Sequence, residues 1–362
     1  MEQAKKKKVA IIGSVGLPAN YGGFETLVNY LTLTKSSDFD FTVYCQKTSQ
    51  KHQLEQFNGS QLRYLPFKAN GAQSIIYDIV SIIVSWFKYD TLLILGTPGC
   101  IILPFLKSFK KTRTIVNFGG LEWKRNKWGL LVHWYLKLSE KIAINFATKI
   151  VADNQLFCDY IRNSYSKESM LIEYGGDHSS QVPFDSSLVL KYPFLNTEYD
   201  VSVSRAQPDN NLHILLEVYS KIPERNLVLV SNYNKFKYGK ELKKKYSNFP
   251  NLFLQEAVYE LKELDAIRSH AKLYIHSHTF CGTAPSLVEA MHLGLPIISF
   301  DVVTNHFTTE NEALYFKNES DLTNILKSLS KSIEVRIGIK MKEIAIKRYT
   351  WEQISNKYST LF

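Results

Sequence analysis

The sequence predicts an α/β protein made of two doubly wound parallel-sheet layers. Three observations carry this. Apolar, β-branched runs alternate with helical patterns along almost the whole chain. The stretches between runs are long enough for helical crossovers, which implies parallel strands covered on both faces. A chain of 362 residues, 45% hydrophobic and 22% charged, is large enough for two cores.

In the first half, strands are expected at 8–12, 41–45, 91–95, 113–117 and 149–152, where β-branched and other apolar residues cluster. Helical spacing fits 23–34, 71–88, 99–108, 127–146 and 154–164. Turn-rich sequence, "YGGDHSSQVPFDSS" at 174–187, marks the passage to a second series. A first domain of residues 1–180 is therefore expected, with a second at 181–345. The second series opens with "YDVSVSR" at 199–205 and continues with strands at 226–231, 251–255, 272–275 and 296–299. Its helices are expected at 210–221, 238–246, 259–270 and 284–293. No internal repeat is present.

The totals also exclude classes. The most apolar stretch, "SIIYDIVSIIVSWF" at 74–87, contains Asp78 and falls short of the ~20 apolar residues of a membrane span, so it reads as a buried or interface-lying helix. The basic start "MEQAKKKKVAII" lacks the apolar stretch of an export signal, and a cytoplasmic location is expected. Cys45, Cys100, Cys158 and Cys281 match no metal or redox spacing. "DFD" at 38–40 precedes a strand rather than following one, the wrong end of a sheet for a metal site, and the expected chemistry needs no metal cofactor.

The net charge of +10 is uneven: residues 1–180 hold 22 Lys+Arg against 14 Asp+Glu, and residues 181–362 hold 22 against 20. Basic residues from Lys124 to Lys141 are interleaved with Trp128, Trp134 and Tyr135, next to Trp123. Such a mixture suits an anionic membrane surface, or else a solvated basic helix with core aromatics. Nucleic acid is not expected as a partner, since no zinc knuckle, ribonucleoprotein motif or helix-turn-helix signature is present.

In doubly wound sheets, ligands bind beyond the carboxyl ends of strands. The loop after the first strand, "GSVGLPANYGG", carries Gly16, Tyr21 and Gly22 ahead of a helix whose N-terminus would favour an anion. It is not G-x-G-x-x-G, and no G-K-[ST] follows, so neither a dinucleotide fold nor a P-loop is indicated. In "HSHTFCGTAPSLVEAM" (276–291), Gly282, Thr283 and the amides near Ser286 and Leu287 lie where a helix N-terminus would meet a phosphate. Glu289 lies one turn further in, able to reach a ribose diol. Arg205 follows a strand, where a guanidinium fork suits phosphate oxygens, and Lys235 follows the next.

These loops resemble those of glycosyltransferase family 4, the retaining, nucleotide-sugar-dependent group with the GT-B fold. The resemblance is closest to a bacterial branch containing rhamnosyltransferases of cell-wall and capsular polysaccharide assembly. Four segments carry it: "GSVGLPANYGGFETLV", "NFGGLEWKRNKWG" at 117–129, "SRAQPDNNLH" at 204–213 and "GTAPSLVEAM" at 282–291. It implies two Rossmann-like domains facing across a cleft, acceptor on the first and donor on the second. It also implies a terminal helix, 346–362, returning to the first domain.

By that match Glu289 binds ribose, Gly282 and Thr283 help hold the diphosphate, Arg205 neutralises it, and Gly16, Tyr21 and Gly22 close over the reacting centre. The sequence departs from the family at Cys281, where a carboxylate is usual, at Asn210, where a Lys is usual, and at Gly119, where the branch usually has Asp.

The expected reaction is same-face transfer of a sugar onto a lipid-linked saccharide at the inner face of the cell membrane. The leading donor is dTDP-rhamnose, followed by another hexose on UDP or GDP. Positioned charge, rather than a nucleophilic carboxylate pair, would stabilise the departing phosphate. Asn117, Glu122 and His278 are the polar candidates for the reacting centre, though Glu122 reads equally as a partner of Lys124 or Arg125, and His278 as a support of its loop. The alternatives are a catalytically silent nucleotide- or lipid-binding homologue and an NAD-dependent enzyme. The missing G-x-G-x-x-G speaks against the latter.

Overall fold

The computed structural model describes residues 6–19, 22–47, 53–110, 112–124 and 129–362. The chain divides into two compact units. One consists of Met1–Glu173 with Trp351–Phe362, the other of Tyr174–Thr350. The terminal segment thus belongs to the first unit. The segment 174–180, expected at the end of the first domain, belongs to the second.

The first unit is built on strands β1 (Lys7–Ile12), β2 (Phe39–Gln46), β3 (Gln56–Phe57), β4 (Ser60–Leu65), β5 (Thr91–Leu95), β6 (Arg113–Asn117), β7 (Lys149–Ala152) and β8 (Met170–Leu171). They lie in the order β3-β4-β2-β1-β5-β6-β7-β8. All pairings are parallel except β3 with β4. β5 and the Val9–Ile12 part of β1 are buried because both faces of the sheet are covered, which is why they read as continuous apolar runs. The hairpin of β3 and β4 was not expected. Asn58 and Gly59, both at positive φ, make its two-residue turn.

The Trp351–Ser359 helix is fixed to this sheet by several ties. The Trp351 ring stacks on Tyr30 at 4.8 Å, Lys357 Nζ donates to Glu173 at 2.6 Å, and Lys7 Nζ donates to the Phe362 carbonyl at 2.8 Å. At the carboxyl end of β6, Asn117 Nδ2 donates to Tyr358 Oη at 2.6 Å, while its Oδ1 accepts from the Gly119 amide.

The second unit is built on β9 (Asp200–Val203), β10 (Leu227–Ser231), β11 (Leu252–Glu256), β12 (Tyr274–His276), β13 (Ile297–Phe300) and β14 (Leu314–Phe316). They are all parallel, in the order β11-β10-β9-β12-β13-β14. The direction of winding reverses between β9 and β12. That reversal opens a crevice at the carboxyl ends of these two strands. The helices Leu212–Tyr219, Lys237–Tyr246, Leu261–Ser269 and Pro285–His292 match the expected pattern to within a few residues. Between β13 and the expected terminal helix, where the sequence reading assigns no elements, the chain adds β14 and helices Val303–Thr308, Glu319–Ser328 and Lys331–Arg348. No helix among the described residues is long and apolar enough to cross a membrane.

Tyr358→Phe should destabilise the first unit by about 1–3 kcal/mol, because it leaves the buried Asn117 amide without an acceptor. Chemical denaturation checks this, and an unchanged midpoint would show that the tie is not structural.

Candidate functional site

At the crevice of the second unit, the loop after β9 is laced to the loop after β12. Ser277 Oγ donates to the Asn210 carbonyl at 2.5 Å, and Asn211 Nδ2 donates to the Ser277 carbonyl at 3.2 Å. Thr279 bonds the Asp209 carbonyl through both its amide and its hydroxyl. His278 Nε2 lies 2.8 Å from Ser204 Oγ, and its Nδ1 lies 3.4 Å from Cys281 Sγ. These bonds make the two loops one body. Asn210, where the resemblance leads one to expect a Lys, is buried. Its Nδ2 is spent on the Arg205 carbonyl at 2.8 Å, so it shapes the loop rather than adding charge.

Beneath His278 sits His276, buried at the end of β12 with its ring 4.2 Å from that of His278. Burial pushes the His276 imidazole down to about 3, so it stays neutral at physiological pH. Neither of its ring nitrogens has a hydrogen-bond partner among the described residues.

The helix Pro285–His292 begins with Ala284 at its N-cap and Pro285 in its first turn. Ala284 has no side-chain oxygen to offer the first-turn amides. The Leu287 amide already bonds the Ala284 carbonyl at 3.0 Å, and the Leu287 side chain is core. Leu287 is therefore set apart from the anion-binding amides expected there. Gly282 and Thr283 lie just ahead of the helix, both buried, and Ser286 is half-buried in its first turn.

Glu289 lies one turn in, and both its oxygens have partners. Arg268 Nη2 donates to Oε2, and His178 Nε2 lies 3.2 Å from Oε1. Arg268, buried throughout, also donates from Nη1 to Asp265 Oδ1 at 3.2 Å and to Ser179 Oγ at 3.4 Å. The second Asp265 oxygen accepts from the Ser180 amide. Burial alone would raise the Glu289 carboxyl, but the Arg268 charge and the hydrogen bond with His178 outweigh it and hold it at about 2. Glu289 is thus an anion at neutral pH and can only accept hydrogen bonds. That suits hydroxyl donors such as a ribose diol.

The close approach of segment 174–180 depends on Gly176, where a Cβ would lie 2.8 Å from the Val288 carbonyl carbon. The sequence reading missed Arg268 and His178. Their signals were Asp265 and Arg268 at i, i+3 spacing on one helix, and the Gly-Gly-Asp-His run.

The other expected donor residues fall around this core. Arg205 is exposed after β9, and Lys235 is exposed after β10 with its Nζ 5.8 Å from the Phe236 ring.

In the first unit the opening loop is braced from within. The Val15 amide donates to Glu25 Oε1 at 2.8 Å, Tyr77 Oη donates to the Ser14 carbonyl at 3.0 Å, and Gln46 bonds the Val15 carbonyl. Gly16 packs so closely on β2 that a Cβ would lie 2.5 Å from Cys45 Sγ, and the Glu25 carboxylate folds over Gly22. Gly16 is required by packing and Gly22 by its backbone, at φ 132°, whatever else the loop does. Tyr21 lies outside the described residues. Asn117, expected at the reacting centre, is committed to Tyr358 and Gly119. Glu122 is half-buried in a short turn, Glu122–Lys124, its amide bonded to Gly120.

Comparison with known proteins matches residues 193–334 to the model for glycosyl transferases group 1 and residues 6–177 to a domain of unknown function, DUF1972. The first of these matched segments lies within the second unit. No curated protein matches the chain significantly.

Solved structures do match. Sucrose-phosphate synthase from Thermosynechococcus elongatus shares 16% identity over 98% of each chain, at a TM-score of 0.81. HepE from Anabaena, in complex with UDP-glucose, shares 15% over 98% of each chain, at 0.77. The catalytic domain of starch synthase IV from Arabidopsis thaliana, bound to ADP and acarbose, shares 12% over 99% of each chain, at 0.70. With the two parallel sheets, these likenesses establish the GT-B fold. His178 falls in neither matched segment, yet it touches Glu289.

The depressed Glu289 carboxyl fixes a sign. Because its folded value, about 2, lies below the ordinary 4.5, its ion pair contributes stability that is full above about pH 4.5 and lost as pH falls towards 2. The penalty of Glu289→Gln should therefore shrink by up to about 3 kcal/mol between neutral pH and the acid limit. Denaturation midpoints of both proteins across that range check this, and a constant gap would refute the ion-pair assignment.

Proposed function

We propose that the protein is a retaining glycosyltransferase that transfers a sugar from a nucleoside-diphosphate sugar to a lipid-linked saccharide in bacterial cell-surface polysaccharide biosynthesis. The observation that carries the donor half of this reading is an ionised Glu289 one turn inside a helix without a side-chain cap, at the crevice where the second sheet reverses its winding. The helix end suits a diphosphate and the carboxylate a ribose diol. Arg205 and Lys235, exposed after the neighbouring strands, supply mobile positive charge for the leaving phosphate. The complexes of HepE with UDP-glucose and of starch synthase IV with ADP support a nucleotide-sugar donor. Rhamnose carried on dTDP is the leading donor by resemblance, and hexoses on UDP or GDP follow.

In this reading His278, fixed between Ser204 and Cys281, presents its imidazole edge to the sugar, and Gly282, Thr283 and Ser286 surround the diphosphate. No nucleophilic carboxylate is needed: the departing phosphate oxygen takes the acceptor proton as the new glycosidic bond forms on the same face.

The lipid-linked acceptor and a place on the inner face of the cell membrane are supported by the first unit. Its helix Leu130–Phe146 leaves Leu130, Leu131 and Trp134 exposed by 85%, 87% and 76%, unusual for apolar side chains of this size on one helical turn. A second reading, a silent homologue that binds nucleotide without turnover, draws on Asn210 and Cys281. One is spent on loop structure, and the other places a thiol against His278.

Calorimetric titration with UDP, dTDP, GDP and NAD, each with and without EDTA, tests the donor site. One nucleoside diphosphate should bind regardless of EDTA, and Arg205→Ala should weaken it about tenfold, the worth of one charge-assisted hydrogen bond. Binding of NAD alone would overturn the reading. Nucleotide binding without sugar transfer to any lipid-linked saccharide would favour the silent homologue.

A further inference from the structure

In the first unit two ammonium groups converge on one indole. Lys137 Nζ lies 4.7 Å, and Lys124 Nζ 5.4 Å, from the ring of Trp123. Together with Lys141, Tyr160, Ser164 and Tyr165 they line a cavity of about 420 Å³.

Its aromatic walls are held by a single buried group. Glu140 accepts from Trp123 Nε1 at 2.9 Å, from Tyr160 Oη at 2.6 Å and from Tyr165 Oη at 2.6 Å. A carboxylate has about four acceptor positions, so Glu140 is largely spent on fixing the walls. Burial raises its carboxyl, while the three donors and Lys137 pull the other way. Among the described residues no carboxylate lies within ion-pair distance of Lys124, Lys137 or Lys141.

Three exposed ammoniums around one cavity, over one carboxylate already engaged from below, give it a positive potential that favours an anion. The volume lies in the range of small-molecule sites. Lysines suit a phosphate as point charges, and rigid aromatic walls suit the carbon skeleton attached to it.

We propose that this pocket binds a phosphate ester, supplied by the headgroup of an anionic phospholipid. The source of the phosphate rests on the membrane reading above. The exposed Leu130, Leu131 and Trp134 lie on the same helix as Lys137 and Lys141, one to three turns nearer its N-terminus. Apolar side chains entering the interface would therefore carry the lysines to headgroup depth. The nucleotide site plays no part in this.

The test is sedimentation of the full chain with vesicles of phosphatidylcholine alone, or of phosphatidylcholine with phosphatidylglycerol, together with thermal melts in inorganic phosphate. Lys137→Glu with Lys141→Glu is compared with a charge-matched control on the same unit, Lys149→Glu with Lys167→Glu. The wild type should prefer the anionic vesicles. The pocket variant should lose about tenfold or more in partitioning, and the control clearly less, since a Lys at the interface adds several-fold to binding of an anionic membrane. If charge reversal prevents folding, Lys137→Gln with Lys141→Gln should show a smaller loss in the same direction.

Equal losses in pocket variant and control would overturn the pocket while leaving the membrane reading intact. Wild-type indifference to both vesicle types would overturn the membrane reading and the phospholipid as source. In that case a melting temperature raised by phosphate in the wild type and not in the pocket variant would retain the site for a soluble phosphate ester. No such shift would end the proposal.

Discussion

The second unit is organised around a guanidinium that water cannot reach. Arg268 lies between Asp265 and Glu289, and burying that charge is tolerable only because two carboxylates and a hydroxyl surround it. Each partner fixes a different stretch of chain. Through Asp265 the arrangement reaches the Ser180 amide, through Ser179 the segment that opens the unit, and through Glu289 the helix that leaves the β12 loop. A site residue is thereby oriented by groups that would themselves never touch a ligand.

This arrangement also explains the electrostatics at the crevice. A carboxyl buried among apolar side chains would be neutral and could donate a hydrogen bond. Glu289 is instead kept charged by neighbours on two other segments, so its chemistry is decided by contacts that are remote in sequence. The neutral His276 at the end of β12 shows the opposite outcome, burial without a compensating charge. The two environments lie in one site, and each sets the protonation state its residue keeps at neutral pH.

Much of the fold was legible because strand–helix alternation is a local signal. β5, β6 and β7 fall at the residues where apolar β-branched runs were read. The short β8 and β14, of two and three residues, carry too few side chains to show a period. The hairpin at Asn58-Gly59 was marked by its turn residues rather than by its strands. At the site, the loops were visible through their glycines and their place after strands. Their rigidity was not, because it comes from pairs such as Ser277 with Asn210 and His278 with Ser204, far apart in the chain. Asn117 shows the converse limit: a polar residue after a strand looks like a ligand, and only the partner 241 positions away reveals a structural one.

The course of the chain through the two units bears on how the protein is made. The first unit needs residues 351–362, whose Tyr358 bonds Asn117 and whose Phe362 meets the side chain of Lys7. The second unit is continuous, and its ends are joined where the Gly176 amide bonds the Tyr349 carbonyl at 2.8 Å. During synthesis, which exposes the chain from its N-terminus onward, the second unit has all its residues before the first does. Until Trp351–Phe362 is made, the earlier-made sheet lacks the contacts that this segment supplies. The unit translated first is therefore the one completed last, and its nascent form is the one that exposes apolar surface for longest.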